Sequence, residues 1–124
     1  MRESQEDYLE AVLALEQELG SVRLTDVANR LKVTKPSVSR AMKLLQSEGY
    51  IQQESYGEIN LTDKGREKAA QVFSRHKILT IFLEDVLGLD AETADADACR
   101  MEHVLSAQTM KQLTAFVRKH TQKK

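Results

Sequence analysis

The chain has 124 residues, 41% hydrophobic and 30% charged, with a formal net charge of −1. That balance excludes a disordered or fibrous polymer and suits one compact unit, or two small ones sharing a core. No apolar run approaches the roughly 20 residues needed to cross a bilayer, and the polar start "MRESQEDYLE" is unlike a signal peptide.

The one cysteine forms no internal disulfide, which fits a reducing cytoplasm, the expected location. Charge is unevenly spread along the chain. Residues 23–43 carry Arg23, Arg30, Lys32, Lys35, Arg40 and Lys43 against Asp26 alone, whereas residues 84–102 carry seven acids against Arg100. The first segment suits an anionic polymer and the second suits cations.

In chain order, "QEDYLEAVLALEQELG" has helical periodicity, with Leu9, Val12, Leu13, Leu15 and Leu19 toward one side and Gly20 as the stop. Two short helices joined by a tight turn follow in "LTDVANRLKVTKPSVSRAMKLLQSEG". Thr34 is the expected N-cap of the second, and Pro36 fits its first turn. The alternation in "YIQQESYGEINLT" predicts a hairpin at 50–61 turning at Gly57. A long helix is then expected from Thr62 to about Gly88, an acidic loop leading into another helix, and a last amphipathic helix with Met110, Leu113, Phe116 and Val117. The tail "RKHTQKK" is basic.

Helix, helix–turn–helix, hairpin and helix make the plan of a winged helix–turn–helix DNA-binding domain. The expected fold is mainly α, with a two-stranded wing and a following helical domain. The recognition helix falls at about 35–47. There Lys35, Ser37, Ser39, Arg40 and Lys43 lie off the apolar Val38/Met42/Leu45 stripe, free to meet phosphates and base edges. With Thr34 and Pro36 at its start, these are the candidate DNA-binding residues. A solvated basic face on a helical bundle is the bland alternative, which the turn and the wing argue against.

A second set of residues is odd for a bare DNA-binding domain. Asp7 and Glu10 stand at i and i+3 on the first helix, and His76 sits within the long one. The stretch "DACRMEH" puts Cys99, Glu102 and His103 at i, i+3 and i+4, a spacing that converges on one helix face. Carboxylate, imidazole and thiolate from three separated segments are the donors of a transition-metal site. Each has a plainer explanation alone: helix-dipole carboxylates, a surface histidine, a small buried cysteine, a capping glutamate. The conjunction carries the expectation.

Five stretches in order, "EDYLEAVLALE", "VTKPSVSRAMKLLQSEGYI", "LTDKGREKA", "RHKILTIFL" and "ACRMEHVLS", resemble the diphtheria-toxin-repressor/manganese-regulator family of bacterial metalloregulators, up to about residue 118. The resemblance implies a winged helix–turn–helix domain (1–72), a helical metal-binding and dimerisation domain (73–124), and a homodimer that represses metal-uptake genes when metal-loaded. It implies metal ligands at Asp7, Glu10, His76, Cys99, Glu102 and His103, in a hybrid pattern. Asp7 and Glu10 match the manganese branch, Cys99 matches the iron branch, and the other three are common to both. Thr80 and Asp95 stand where the iron branch's second site has a glutamate and a histidine, which weakens an iron-type second site but leaves Asp95 able to coordinate.

A short, two-domain manganese-like architecture without the third, SH3-like domain of longer members is expected. The implied cofactor is Mn²⁺ or Fe²⁺, with Co²⁺ or Zn²⁺ binding in vitro, and the implied partner is double-stranded operator DNA with no membrane. Two rival readings are a metal-independent or thiol-redox-sensing winged-helix regulator, and a zinc enzyme using Glu102 as base. Neighbouring acids disfavour a reactive thiolate at Cys99, and the chain offers no evident substrate pocket. No enzymatic activity is expected.

Overall fold

The computed structural model describes residues 3–122. They fall into two compact units that divide between Ala70 and Gln71.

The first unit begins with α1 (Glu3–Leu19), which buries Leu9, Val12, Leu13 and Leu15 and stops where Gly20 takes a φ of 83°. A two-residue strand β1 (Val22–Arg23) leads into α2 (Leu24–Leu31), the turn, and α3 (Lys35–Ser47). The turn is made by Lys32, whose φ of 56° is the left-handed conformation that ends α2 through a bond from its N–H to Ala28 O. Strands β2 (Ile51–Gln53) and β3 (Glu58–Leu61) form the antiparallel wing, paired Ile51 with Leu61 and Gln53 with Ile59, turning at Gly57 (φ 93°).

The two strands of the wing are those expected, and a third strand that the sequence does not signal joins their sheet. β1 pairs with β3 through Val22–Ile59 and Arg23–Glu58, giving a three-stranded sheet in the order β1-β3-β2. Two residues are too short for an alternation signal, yet Val22 is buried and Arg23 exposed, as a half-buried strand requires. Arg23 also donates to Tyr56 O at 2.9 Å, holding the wing turn. One apolar core, including Val27, Val38, Met42, Leu45, Ile51 and Ile59, joins helices and sheet.

Helix α4 (Asp63–Ile81) starts in the first unit and ends in the second. Thr62 caps it, its hydroxyl accepting from Gly65 N and donating to Gly49 O. The expected single helix to Gly88 instead widens into a π-helical turn over Phe82–Val86, closed by Leu87 N to Phe82 O. The expected acidic loop is itself a helix, α5 (Ala91–Met101): Asp90 caps it by accepting from Thr93 N at 2.7 Å, and the acids lie along its exposed sides. α6 (Ala107–Gln122) follows and takes in the start of the basic tail; Lys123 and Lys124 lie outside the described residues. Leu79, Leu83, Ala94, Ala98 and Met110 form the second core. Among the described residues, no helix is long and apolar enough to cross a membrane.

Candidate metal centre and nucleic-acid interface

The interface on α3 follows from its packing. Val38, Met42 and Leu45 are buried at three- and four-residue steps, which turns the opposite side outward. Lys35, Ser39 and Lys43 form one outward row at four-residue steps, with Pro36 and Arg40 beside it. Lys35, Pro36, Arg40 and Lys43 are exposed, while Ser37 and Ser39 are half-buried. Thr34 and Ser37 are already engaged with each other. Thr34 Oγ1 donates to Ser37 Oγ at 2.9 Å and accepts from Ser37 N at 3.3 Å, so their first task is to cap α3.

The basic surface is narrower than the sequence suggests. Arg30 is held bidentately by Glu18 at 2.9 and 3.0 Å, and Arg23 is committed to the wing turn. That leaves Lys32, Lys35, Arg40 and Lys43. The wing turn carries Glu54 and Glu58 and no lysine or arginine. On α4, Lys64, Arg66 and Lys68 are engaged by Glu48 O, Glu16 and Glu6, so among the described residues of this unit the uncommitted positive charge is concentrated on α3 and the turn before it.

In the second unit the candidate ligands converge on one imidazole. Ala94 and Ala98 are fully buried, and their small side chains let α5 lie close within the second core. Asp95 and Cys99, each one residue further along, thereby reach His76 of α4. His76 Nε2 lies 2.9 Å from Asp95 Oδ1, and Cys99 Sγ lies 3.8 Å from His76 Nδ1. His76 Nδ1 also lies 2.9 Å from Glu102 Oε2. His76, Asp95 and Cys99 each bring one donor atom within 4.8 Å of the others.

Cys99 and Glu102 both meet His76 Nδ1 from the end of α5, where Glu102 is the C-cap and its N–H still bonds Ala98 O. α5 ends at Met101, and Glu102 and His103 sit in the turn beyond it. Cys99 is exposed, whereas the Glu102 side chain is fully buried and that of His103 is 1% exposed. His76 links the two sets. Thr80 turns its hydroxyl onto its own helix, donating to His76 O at 2.9 Å. Asp7 and Glu10 lie on α1 of the first unit, both half-buried and nearly one turn apart.

Two observations fit these residues to a cation. Among the described residues, no hydrogen-bond donor meets the buried Glu102 Oε1; His103 Nε2 lies 3.3 Å away but without hydrogen-bond alignment. Such an orphaned carboxylate oxygen in a native interior calls for a partner. In addition, both ring nitrogens of His76 face carboxylate oxygens, so satisfying both contacts requires a doubly protonated ring or a protonated carboxyl. A cation on the Nδ1 side satisfies the same atoms without that proton. The donor set of imidazole, carboxylate and thiolate is one that divalent transition metals accept. Asp95 is the residue that the sequence reading left outside its ligand set; its i, i+4 spacing to Cys99 was the available signal.

Residues 1–59 match the family described as "Iron dependent repressor, N-terminal DNA binding domain", and residues 62–123 match "Iron dependent repressor, metal binding and dimerisation domain". An uncharacterised HTH-type transcriptional regulator of Methanocaldococcus jannaschii is 37% identical over 124 residues, 99% of either chain. The transcriptional regulator MntR of Salmonella typhimurium is 39% identical over 119 residues, 96% of this chain and 75% of its own length.

Among solved structures, the metal-dependent transcriptional regulator MtsR superposes with a TM-score of 0.85 at 25% identity, covering 92% of this chain and 53% of its own. A manganese-dependent transcriptional repressor in complex with manganese gives 0.80 at 26% identity, over 91% and 52%. The chain thus spans about half the length of these two structures. With DNA-binding and metal-binding halves matched in order over nearly its whole length, the protein belongs to the diphtheria-toxin-repressor/manganese-regulator family of metal-dependent transcriptional regulators.

Proposed function

We propose that the protein is a divalent-metal-activated, DNA-binding transcriptional repressor of metal-ion uptake genes, acting as a homodimer in the cytoplasm, and not an enzyme. The observation that carries the metal dependence is the fully buried Glu102, whose Oε1 lacks a donor while Oε2 meets His76. When bound, the cation supplies positive charge that offsets neighbouring carboxylates and the thiolate. His76 Nδ1, Cys99 Sγ, Glu102 and His103 would hold it. Asp7 and Glu10 complete the ligand set on the family resemblance alone.

On the DNA side, Lys35, Arg40 and Lys43 neutralise phosphates, and the outward face of α3 between them, with Pro36 and Ser39, meets base edges. Thr34 and Ser37 set the start of that helix. In a dimer, two copies of α3 must match half-sites one helical turn, about 34 Å, or a multiple apart. The metal is Mn²⁺ or Fe²⁺: carboxylates and imidazoles suit both, and the thiolate of Cys99 moves preference toward the softer ion. Zn²⁺ and Co²⁺ are expected to bind in vitro.

The test is operator binding titrated with Mn²⁺, Fe²⁺, Co²⁺ and Zn²⁺ under anaerobic conditions, against a chelator control. A near-complete switch corresponds to a preference for the DNA-competent state of roughly 5 kcal/mol. Equal DNA affinity with chelator and with saturating metal would sink the reading and favour a metal-independent winged-helix regulator.

A further inference from the structure

Resting on the metal-binding reading above, we infer that Asp95 is the positioning residue of the metal centre: it accepts the Nε2–H of His76 and thereby presents Nδ1, with its lone pair, to the cation beside Cys99 and Glu102. The surroundings of the His76 ring are asymmetric. On the Nδ1 side lie Glu102 Oε2 at 2.9 Å and Cys99 Sγ at 3.8 Å. The same Glu102 carries the buried oxygen that has no donor. On the Nε2 side lies Asp95 Oδ1 at 2.9 Å, from a side chain that is 67% exposed.

Donors of different chemistry therefore converge on Nδ1, whereas Nε2 faces a carboxylate at hydrogen-bonding distance. A neutral imidazole carries one proton, and it ligates through the other nitrogen. An aspartate accepting from Nε2–H selects the tautomer whose Nδ1 is unprotonated and fixes the ring plane. This carboxylate–histidine–metal relay is a general way of orienting a ligating histidine. Its location is set by packing: Ala94 and Ala98 face the core, which leaves Asp95 on the flank of α5 toward α4.

The experiment is anaerobic Co²⁺ binding to the full chain, followed by visible d–d bands and the near-ultraviolet thiolate-to-cobalt band. Three proteins are compared: wild type, Asp95→Ala and Asp95→Asn. Asp95→Ala is expected to weaken Co²⁺ affinity roughly 10- to 100-fold while keeping, at saturation, the band positions and intensities of the wild type. Asp95→Asn keeps an oxygen that accepts the Nε2–H, so it should recover most of the lost affinity.

Unchanged affinity in Asp95→Ala overturns the inference. Altered d–d bands at saturation in both variants also overturn it, by making Asp95 a ligand. If wild type itself gives no cobalt spectrum, the metal-binding reading falls, and the inference falls with it.

Discussion

His76 Nδ1 lies 2.9 Å from Glu102 Oε2, which ties α4 to the turn after α5 through a fully buried carboxylate. The other Glu102 oxygen has no hydrogen-bond donor. A buried acid so placed adds little to folding alone, because its desolvation offsets what its contacts return. Its value lies in what it can bind.

Glu102→Gln keeps the shape and removes the charge. In wild type, saturating Mn²⁺ at a hundred times its Kd should add about 2.7 kcal/mol to stability. The variant should lose most of that gain while its metal-free melting temperature stays at or above that of wild type. Thermal melts with and without Mn²⁺ check this. A variant that melts much earlier in chelator would make Glu102 a structural residue instead.

Arg40 and Arg30 differ in availability, although both lie in the basic segment. Arg40 is exposed on the outward side of α3, and Arg30 is gripped by Glu18. Arg40→Ala should reduce the slope of log affinity against log salt by about 0.9, the value for one lost phosphate contact on duplex DNA. Arg30→Ala should leave the slope unchanged. Fluorescence anisotropy on an operator duplex in saturating metal, between 50 and 200 mM salt, measures both. Equal losses would mean that the Glu18 pair opens on DNA.

Gly65 stands where α4 passes over the chain before the wing. A β-carbon there would sit 1.8 Å from Tyr50 O, a backbone atom that no rotamer change can move. Thr62 N also donates to Tyr50 O, so the carbonyl is held in place. Gly65→Ala should destabilise the first unit by about 2–3 kcal/mol, despite the usual helical advantage of alanine over glycine. Chemical denaturation checks the direction. A stabilised variant would show that the α4 start has slack.

The sequence was most legible where a periodic pattern and a cap coincide. α3 occupies the expected 35–47, with Thr34 capping it and Val38, Met42 and Leu45 inside. Gly57 turns the wing as expected. The misses share a cause, namely local patterns decided by contacts remote in the chain. β1 exists because β3 offers Ile59 and Glu58 as partners. The acids of 90–97 read as a loop, but buried Ala94 and Ala98 make them the flanks of a helix.

The ligand cluster is legible as residue types, and the three-residue step from Cys99 to Glu102 does bring both to His76. What spacing does not give is their burial: Cys99 is exposed, whereas Glu102, the C-cap of α5, is fully buried. Arg30 and Arg23 likewise belong to the basic segment by sequence, but partners 12 and 33 residues away engage them.

Asp90 gives α5 a pH-dependent start. The hydrogen bond from Thr93 N–H holds its carboxyl below the ordinary aspartate range. A depressed folded value means that the stabilisation is present above the unfolded value, about 3.9, and is lost as pH falls through the lower folded one. Asp90→Asn keeps an acceptor oxygen but does not titrate. Metal-free wild type should melt above this variant at neutral pH, with the gap closing below about pH 3.9. A gap independent of pH would assign the difference to shape alone.

The proposed dimer is most economically built on α6. Phe116 is 51% exposed and meets Phe82 edge-on, with ring centres 6.2 Å apart, and His120 stacks against it. Phe82, Leu113 and Phe116 line a cleft of about 710 Å³ rimmed by Gln112 and Lys119. An apolar floor with a polar rim is the usual anatomy of an association surface. In a twofold dimer each substitution is felt twice. Burying one phenylalanine side chain is worth about 1.5–3 kcal/mol. Phe116→Glu should therefore weaken self-association roughly a hundredfold or more, shifting sedimentation velocity toward monomer at micromolar concentration. Cobalt binding to the second unit should persist, since Phe116 lies outside the donor set. A variant that stays dimeric would move the interface off this face.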